Sequence, residues 1–586
     1  MAGFFLIKDN EQVLNLDKAL NAFADNGLRN PSKYQLGKYT LYLYNKLTAK
    51  CPDCVETEHG LCAAVGAYVY KGLNYHQSLV STLEDYRNGT LAFTEMYGQY
   101  TLILFSNNQL VIVSDALSSK HIFSNREYQF FTSSFFAATE AIGKVTINDM
   151  AVMEKILSGI IVSPDTLVNE VIQMNRQEQE NANERCCGIT FLTHPRLSVL
   201  PEHNHGKKQS MVEQAKNIVN YFYKLKPALE EDRIDLGLSA GHDSSLVFAA
   251  ITTVFRNNIH IHTHSTGHVH DKEKNAAIAM AKVKGLSPTV VSTPRLDEAG
   301  IDLQKLLEEN LVFFDGRTSH DIGGFSATYR AEYRMMATDR CLTTLSGVGG
   351  ECLRNHYSVR GRKIKADWFF NDKVFNRSFF EAAPNDIIQK VRNYHLEKAE
   401  KILGCKLRGR VKHLNLRRYY SEILMADGQG NVIDAYNTVS KCIAPFLDPH
   451  ILQEAYRGIR YLGNCGEYES GIICALDPNI GACINSNNGY PFDSIPLGLR
   501  IKEAVRASVS AKTWEMLNNM KSGGSKKQDE SYFSSVLNKS KELSDAYDEL
   551  KKRYPDVDFD IVIKGYEMDA LVEYLALTVR KLTNEV

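Results

Sequence analysis

At 586 residues the chain is too long for a single hydrophobic core and should divide into at least two domains. Its 44% hydrophobic and 23% charged residues are ordinary globular values. Lys plus Arg (68) nearly cancels Asp plus Glu (69), which leaves no global field to draw nucleic acid or an anionic membrane.

The opening MAGFFLIKDN has no basic stretch followed by a long apolar core, so no signal peptide is expected, and no apolar run reaches the length of a bilayer span. Twelve cysteines without an export signal read as reduced thiols in a cytoplasm. CPDCVETEHGLC then gathers Cys51, Cys54, His59 and Cys62. One reading is a small tetrahedral Zn²⁺ site, for which the CxxC half is well spaced. The other is unlinked thiols, which the short gap from His59 to Cys62 and the strand beginning at Cys62 favour.

From about 63 to 145, AAVGAYVY, QYTLILFS, QLVIVSD and YQFFTSS alternate between Gly, Asn and Ser turns, which predicts a sheet-rich domain. NRQEQENANE, residues 175–184, is polar without apolar periodicity and reads as a loop or linker. A boundary near it divides the chain into 1–205 and 206–586, and a helix is expected over Met211 to Tyr223.

IDLGLSAGHDSSLVFAA, residues 234–250, is the stretch that organises the second part. An aliphatic strand ends in a small-residue turn, which opens into a helix predicted over Ser244 to Phe255. Such a junction aims free backbone N–H groups and a positive helix end at one spot, which suits a phosphate or pyrophosphate. Ser239, Ser244 and Ser245 add hydroxyls, and Gly241 admits close approach of the backbone. Asp243 is the only carboxylate in the turn, which makes sense at a phosphate site when a Mg²⁺ ion lies between them. A plain strand-to-helix turn is the alternative.

Further strands are predicted at 259–267 and Thr289 to Ser292, with a helix over Asp271 to Lys284 between them. The β-α-β-α-β order predicts a parallel, doubly wound sheet with ligands at the C-terminal strand ends, where Leu238, Ser239 and Ser265 meet. Pro384 to Leu403 and Ile451 to Ile459 read as helices. Lys502 lies on the helical pattern LRIKEAVR, and Lys521 lies in a Gly/Ser loop able to close over a site.

Three segments carry a family resemblance. SAGHDSS resembles the SGGxDS pyrophosphate loop of the PP-loop ATP pyrophosphatases, and no GxxxxGK[ST] occurs in the chain. Leu345 to Tyr357, LSGVGGECLRNHY, resembles the LSGxGxDExxxGY segment of the asparagine synthetase-like branch, and Ala444 to Asp448, APFLD, its PFLD motif. GQYTLILFSNNQLVIVSDALSSKHIF is similar to that branch's glutamine amidotransferase-like N-terminal domain, with Gly98, Asp115, Ser133 and Ser134 at familiar positions.

The resemblance implies an α/β chain in two domains. A sheet-rich, amidotransferase-like α+β sandwich precedes a PP-loop synthetase domain with a doubly wound parallel sheet and a helical C-terminal part. It implies ATP and Mg²⁺ as cofactors, with Asp243 and Glu351 as the metal pair, Gly347 beside the nucleotide, and the backbone around Ser265 and Thr266 at the adenine. It places Asp448 near the substrate and assigns a late lysine, Lys502 or Lys521, to neutralise charge as pyrophosphate leaves.

Three departures qualify the assignment. Position 2 is Ala2, where the branch exposes a cysteine nucleophile, so the glutaminase half-reaction is expected to be lost and its domain to serve as scaffold. Glu351 stands for an Asp, which moves the carboxylate by roughly an ångström; alternatively it caps a helix beginning near Cys352. Val348 replaces a Glu or Tyr, leaving Tyr357, His356, Asp315 and Asp321 as candidate bases.

The expected activity is therefore AMP-forming amide synthesis, in which a substrate carboxylate is adenylated and an amine on the same or a second substrate displaces AMP, as in β-lactam synthetases and lasso-peptide cyclases. The expected partner is a small molecule or peptide bearing both groups; no nucleic acid or membrane is expected, and a homodimer is compatible. Two other readings stay open: a silent scaffold, and an RNA-modifying PP-loop enzyme that uses CPDC.

Overall fold

Alternating strands build two facing sheets in the first third of the chain. One has the strand order Val171–Gln173, Phe123–Asn125, Phe130–Thr132, Gly3–Lys8, Tyr39–Tyr44, Ser32–Leu36, paired antiparallel throughout. The other runs Ile189–Leu192, Gln109–Ser114, Tyr100–Ser106, Gly60–Gly66, Cys54–Thr57, and only its first pair is parallel. The computed structural model describes residues 1–9, 15–49, 52–186, 188–198, 200–255, 257–265, 271–292, 302–318, 330–359, 361–506, 508–509, 513, 540–565 and 568–584.

The period of two along each strand decides the layers. Phe4, Leu6, Leu41 and Leu43 meet Ala63, Val65, Ile103 and Ile112 between the sheets. Phe5, Phe123 and Phe130 turn outward beneath helices Leu16–Asp25 and Phe135–Ile142. On the far side Ala64, Leu102, Leu104 and Val113 pack under helix Tyr75–Arg87. The result is a helix–sheet–sheet–helix sandwich.

This layering disposes of the zinc reading. Cys54 faces the inter-sheet core, whereas Cys62 is buried on the opposite side of the same sheet, so the two sulfurs cannot share an ion. Cys51 lies outside the described residues.

The predicted linker at 175–184 is instead a helix, Arg176–Arg185. It forms without an apolar face because Asn175 caps it by accepting from Glu178 N at 3.0 Å, Glu178 and Arg185 match the helix dipole, and only Gln179 and Ala182 are buried.

A parallel sheet follows, in the order Thr289–Ser292, Ile259–Ser265, Ile234–Gly237, Thr343–Leu345, Lys441–Ile443. Leu236, Ile261, Leu345 and Ile443 pack with helices Lys207–Leu229 and His242–Val254. Helices Lys272–Val283, Asn385–Leu403 and Pro449–Arg457 match the predicted ones within two residues at each end. The last sandwich strand ends at Leu192, yet one hydrophobic cluster runs from Phe5 and Phe135 to Phe370, Tyr419 and Leu575, joining the sandwich to the C-terminal helices. Among the described residues, no helix is long and apolar enough to cross a membrane.

Candidate functional site

The strand order reverses between Ile234–Gly237 and Thr343–Leu345, and at such a point the loops beyond the two strands part to leave a crevice. Here they border a cavity of about 900 Å³, within the range of small-ligand sites. Ser239, Asp243, Ser346, Val348, Glu351 and Arg354 are among its lining residues.

The first loop is folded by its own small side chains. Ser239 Oγ lies 3.0 Å from Ser244 Oγ and accepts from Gly241 N at 3.3 Å, while Ala240 takes the left-handed conformation at φ 56°. Gly241 caps helix His242–Val254 with no side-chain hydrogen bond, so the amides of the first turn are not closed off by a cap. A Cβ on Gly241 would fall 2.8 Å from Asn487 Oδ1, so the 485–488 segment crosses directly over the turn.

The second loop presses on the first. A Cβ on Gly347 would lie 3.1 Å from Asp243 Cβ, and one on Gly350 would lie 2.0 Å from Asp243 Oδ1. Only glycine at both positions lets the loops touch.

Charge is concentrated at this contact. Arg354 Nη2 donates to Asp243 Oδ2 and to Glu351 Oε1, both at 2.8 Å, and Nη1 reaches Glu469 Oε2 at 3.4 Å. Tyr420 donates to Glu351 Oε2 at 2.6 Å, and Arg417 donates to the Glu351 carbonyl. Glu351 is thus fully engaged, with each oxygen holding a donor. Burial, reinforced by the negative charge of Glu351, pushes Asp243 above the ordinary carboxylate range. Burial and the Asp243 charge push Glu469 well above it. His242, buried beside Asn485 and Ser470 and near Arg354, is driven down to about 3 and is neutral.

Whether Mg²⁺ fits follows from the donor set. Asp243 Oδ1 and Glu469 Oε1 are buried, the two carboxyls hydrogen-bond only each other on that side, and hard carboxylate oxygens are the chemistry this ion takes. Asp243 therefore fits. Glu351 has no free oxygen while Arg354 and Tyr420 hold it.

The walls come from distant chain. Phe370–Val374 and Tyr420–Gln429 wind as π-helix, and Lys373, Tyr420, Leu424 and Met425 from them face the cavity. Such wide turns are rare and frequently found at functional sites. Tyr357 and His356 also line it, and the Tyr357 ring meets Phe369 and Tyr420 edge-on, with centroids 5.1 and 5.9 Å apart.

Of the other expected residues, Ser239, Gly241, Ser244 and Gly347 line the cavity. Leu238 is buried behind it, and Ser265 ends its strand on the same sheet edge without lining the cavity. Ser245 is fully buried and its hydroxyl has no partner, so it cannot serve the crevice as expected. Lys502 is exposed on helix Leu497–Arg506 and does not line the cavity, which Glu503 and the exposed Arg506 of the same helix border. Lys521, Asp321 and Thr266 lie outside the described residues.

Asp315 is not at the site: it accepts from Ser134 Oγ at 2.8 Å and Phe136 N at 3.0 Å, capping helix Phe135–Ile142. Asp448 is buried away from the cavity too, accepting from Gly98 N at 3.0 Å, Tyr221 Oη at 3.3 Å and His450. It locks sandwich to helices rather than touching the crevice.

Arg354, Glu469, Tyr420 and Asn487 are the site residues that sequence reading missed. Only Arg354 left a signal, its spacing of three from Glu351 on one helical turn. No protein-family model and no curated protein matches this chain.

Proposed function

We propose that the crevice binds the polyphosphate of ATP and that the protein is an AMP-forming carbon–nitrogen ligase. The observation that supports this most directly is the meeting of the Ser239–Ser244 turn with the Ser346–Glu351 loop at the sheet's switch point, glycine against Asp243. In this reading the sandwich is an amidotransferase-like scaffold. The cavity beside Ala2 and Ser133 is about 30 Å³, room for about one water and far too small for a glutamine side chain.

The chain's own groups would act as follows. First-turn amides and the Ser239 and Ser244 hydroxyls hold phosphate oxygens. A substrate carboxylate oxygen bonds to the α-phosphorus as the bond to pyrophosphate breaks; an amine nitrogen then bonds to the acyl carbon, loses a proton, and AMP departs. Holding both reactants against one wall supplies most of the advantage. Val348 can take no proton, so His356 and Tyr357, which line the same cavity, are the candidate acceptors. Mg²⁺, when bound through Asp243, would supply charge neutralisation to the polyphosphate.

Exchange of labelled pyrophosphate into ATP, tried across carboxylate substrates, tests the reading. Absence of both exchange and AMP from folded protein would remove it. One observation favours a second reading, a silent scaffold: Arg354 already stands between Asp243 and Glu351 as their cation. Calorimetric titration with a nonhydrolysable ATP analogue, with and without Mg²⁺, separates the two, because the scaffold gives no heat.

A further inference from the structure

A second cluster of ionisable groups lies outside the crevice, where the chain passes from the sandwich into helix Lys207–Leu229. PEHNHGKKQ carries His203 and His205 just before the helix, and Glu213 lies two turns into it. Helix Pro449–Arg457 brings Glu454 alongside.

One atom organises the group. Glu213 Oε2 is 3.4 Å from His203 Nδ1 and 3.1 Å from His205 Nε2. The three ligand atoms all lie within 4.8 Å of one another. None of these ring nitrogens makes an aligned hydrogen bond although all are buried, and His203 as a residue is 1% exposed. Buried imidazole nitrogens that converge on a carboxylate without donating to it are unsatisfied as the chain stands. Ligands about 2.0–2.2 Å from a tetrahedral Zn²⁺ stand about 3.3–3.5 Å apart, close to the two distances from Glu213.

The surroundings match a metal site. Ligating groups are usually held by a further ring of hydrogen-bonding partners. Gln209 Nε2 donates to Glu213 Oε1 at 3.0 Å, and Glu454 Oε1 lies 2.9 Å from His203 Nε2, a charge contact without an aligned hydrogen bond. The segment itself is pinned: His203 N donates to Arg457 O at 3.1 Å, and Arg460 donates to His205 O at 3.2 Å. His205 and Glu213 are 27% and 34% exposed, which gives an ion an entry path and a water a place as fourth ligand.

The other histidine cluster shows the contrast. His260 and His262 each place Nδ1 on the same oxygen of Asp235, at 2.9 and 2.7 Å, as aligned hydrogen bonds. Those nitrogens are satisfied and too close to the oxygen to admit an ion between them.

We infer that His203, His205 and Glu213 form a binding site for a divalent first-row transition ion, with Zn²⁺ the best match, oriented by Glu454 and Gln209. Two imidazoles and one carboxylate suit Zn²⁺ over Mg²⁺ or Ca²⁺, which take all-oxygen sets. The ion would fasten the inter-domain segment to the helix that it enters and to the 449–461 region.

The test uses full-length protein stripped with a chelator and titrated with Co²⁺, a coloured stand-in for Zn²⁺. One equivalent should bind with the visible bands of a tetrahedral ion and no thiolate charge-transfer band, and Zn²⁺ should bleach it. His205→Gln and Glu213→Gln should abolish the bands while unfolding at the temperature of metal-free wild type. Glu454→Gln, which keeps all three ligands, should weaken Zn²⁺ by about 10- to 100-fold. This arm stands even if the ligand variants do not fold. Wild type without the bands, a thiolate band, bands surviving in folded His205→Gln, or an unchanged Zn²⁺ affinity in Glu454→Gln would each overturn the site.

Discussion

Arg354 Nη2 donates to Asp243 Oδ2 across 2.8 Å, tying the loop after the fourth strand in sequence of the parallel sheet to the first turn of helix His242–Val254. The same guanidinium serves Glu351 and Glu469, so three carboxyl groups depend on one cation. The contact that shapes the crevice is thereby also an electrostatic knot, and ligand charge entering it must compete with Arg354.

Removing the knot's cation should be costly. Arg354→Met leaves part-buried Asp243 and Glu351 and buried Glu469 without their cation, for which the expected loss is at most about 3–5 kcal/mol. Urea denaturation reads this directly. Mg²⁺ should raise the midpoint of the variant more than that of wild type, because the Asp243 and Glu351 oxygens that Arg354 abandons become open to the ion. Equal shifts would show that the carboxylates do not take the ion.

Removing one carboxylate should do the reverse to stability. Asp243→Asn takes a negative charge from a buried group already raised by burial and by Glu351, so the midpoint should stay or rise. If the crevice is catalytic, pyrophosphate exchange should fall by at least about 100-fold in the same variant. A stable variant with unchanged exchange would detach Asp243 from the reaction.

The two glycine loops were legible in the sequence because each is local: strand, small-residue turn and helix follow within 17 residues, 234–250. Tyr420 was not, and Arg354 only through its spacing from Glu351, since Asp243 and Tyr420 lie far away in the chain from the groups they meet. Glu469 carries no sequence signal, being an acid in the first turn of helix Glu467–Leu476, yet it is fully buried. The misread segment 175–184 shows the converse, a helix held by a cap and two buried side chains where periodicity is silent. Asp448 has a motif, but its partners Gly98 and Tyr221 come from the sandwich and the helix after it, so its structural task could not be read from APFLD.

Glycine at 350 should be indispensable on steric grounds alone. Gly350→Ala would set a methyl 2.0 Å from Asp243 Oδ1 and force the two loops apart. The expected cost is about 1–3 kcal/mol, and if the crevice holds a nucleotide its affinity should fall alongside. Gly349→Ala should cost stability for a different reason, since φ is 88° there and a Cβ would lie 2.9 Å from Leu447 Cδ2. A thermal melt of Gly350→Ala that matches wild type would mean that the loops have more room than their geometry gives.

The joint between sandwich and helices should carry a pH signature. His450 Nδ1 is 2.6 Å from Asp448 Oδ1, its Nε2 is 2.9 Å from Thr94 O, and its ring stacks on Tyr97 at 4.3 Å. Burial opposes the charged ring, but the Asp448 carboxylate outweighs it, and the imidazole is raised to about 9 from its ordinary 6.5. A group raised in the folded state favours folding most when it is protonated in both states. The contribution is therefore complete below pH 6.5 and disappears as pH climbs to about 9. With the ring 26% exposed, its size should be on the order of 2 kcal/mol after screening. Denaturation midpoints across that window should fall for wild type and stay flatter for His450→Gln, the two curves converging near the alkaline end. Parallel curves would place the pH dependence in another group and leave the His450 and Asp448 contact without the charge assigned to it.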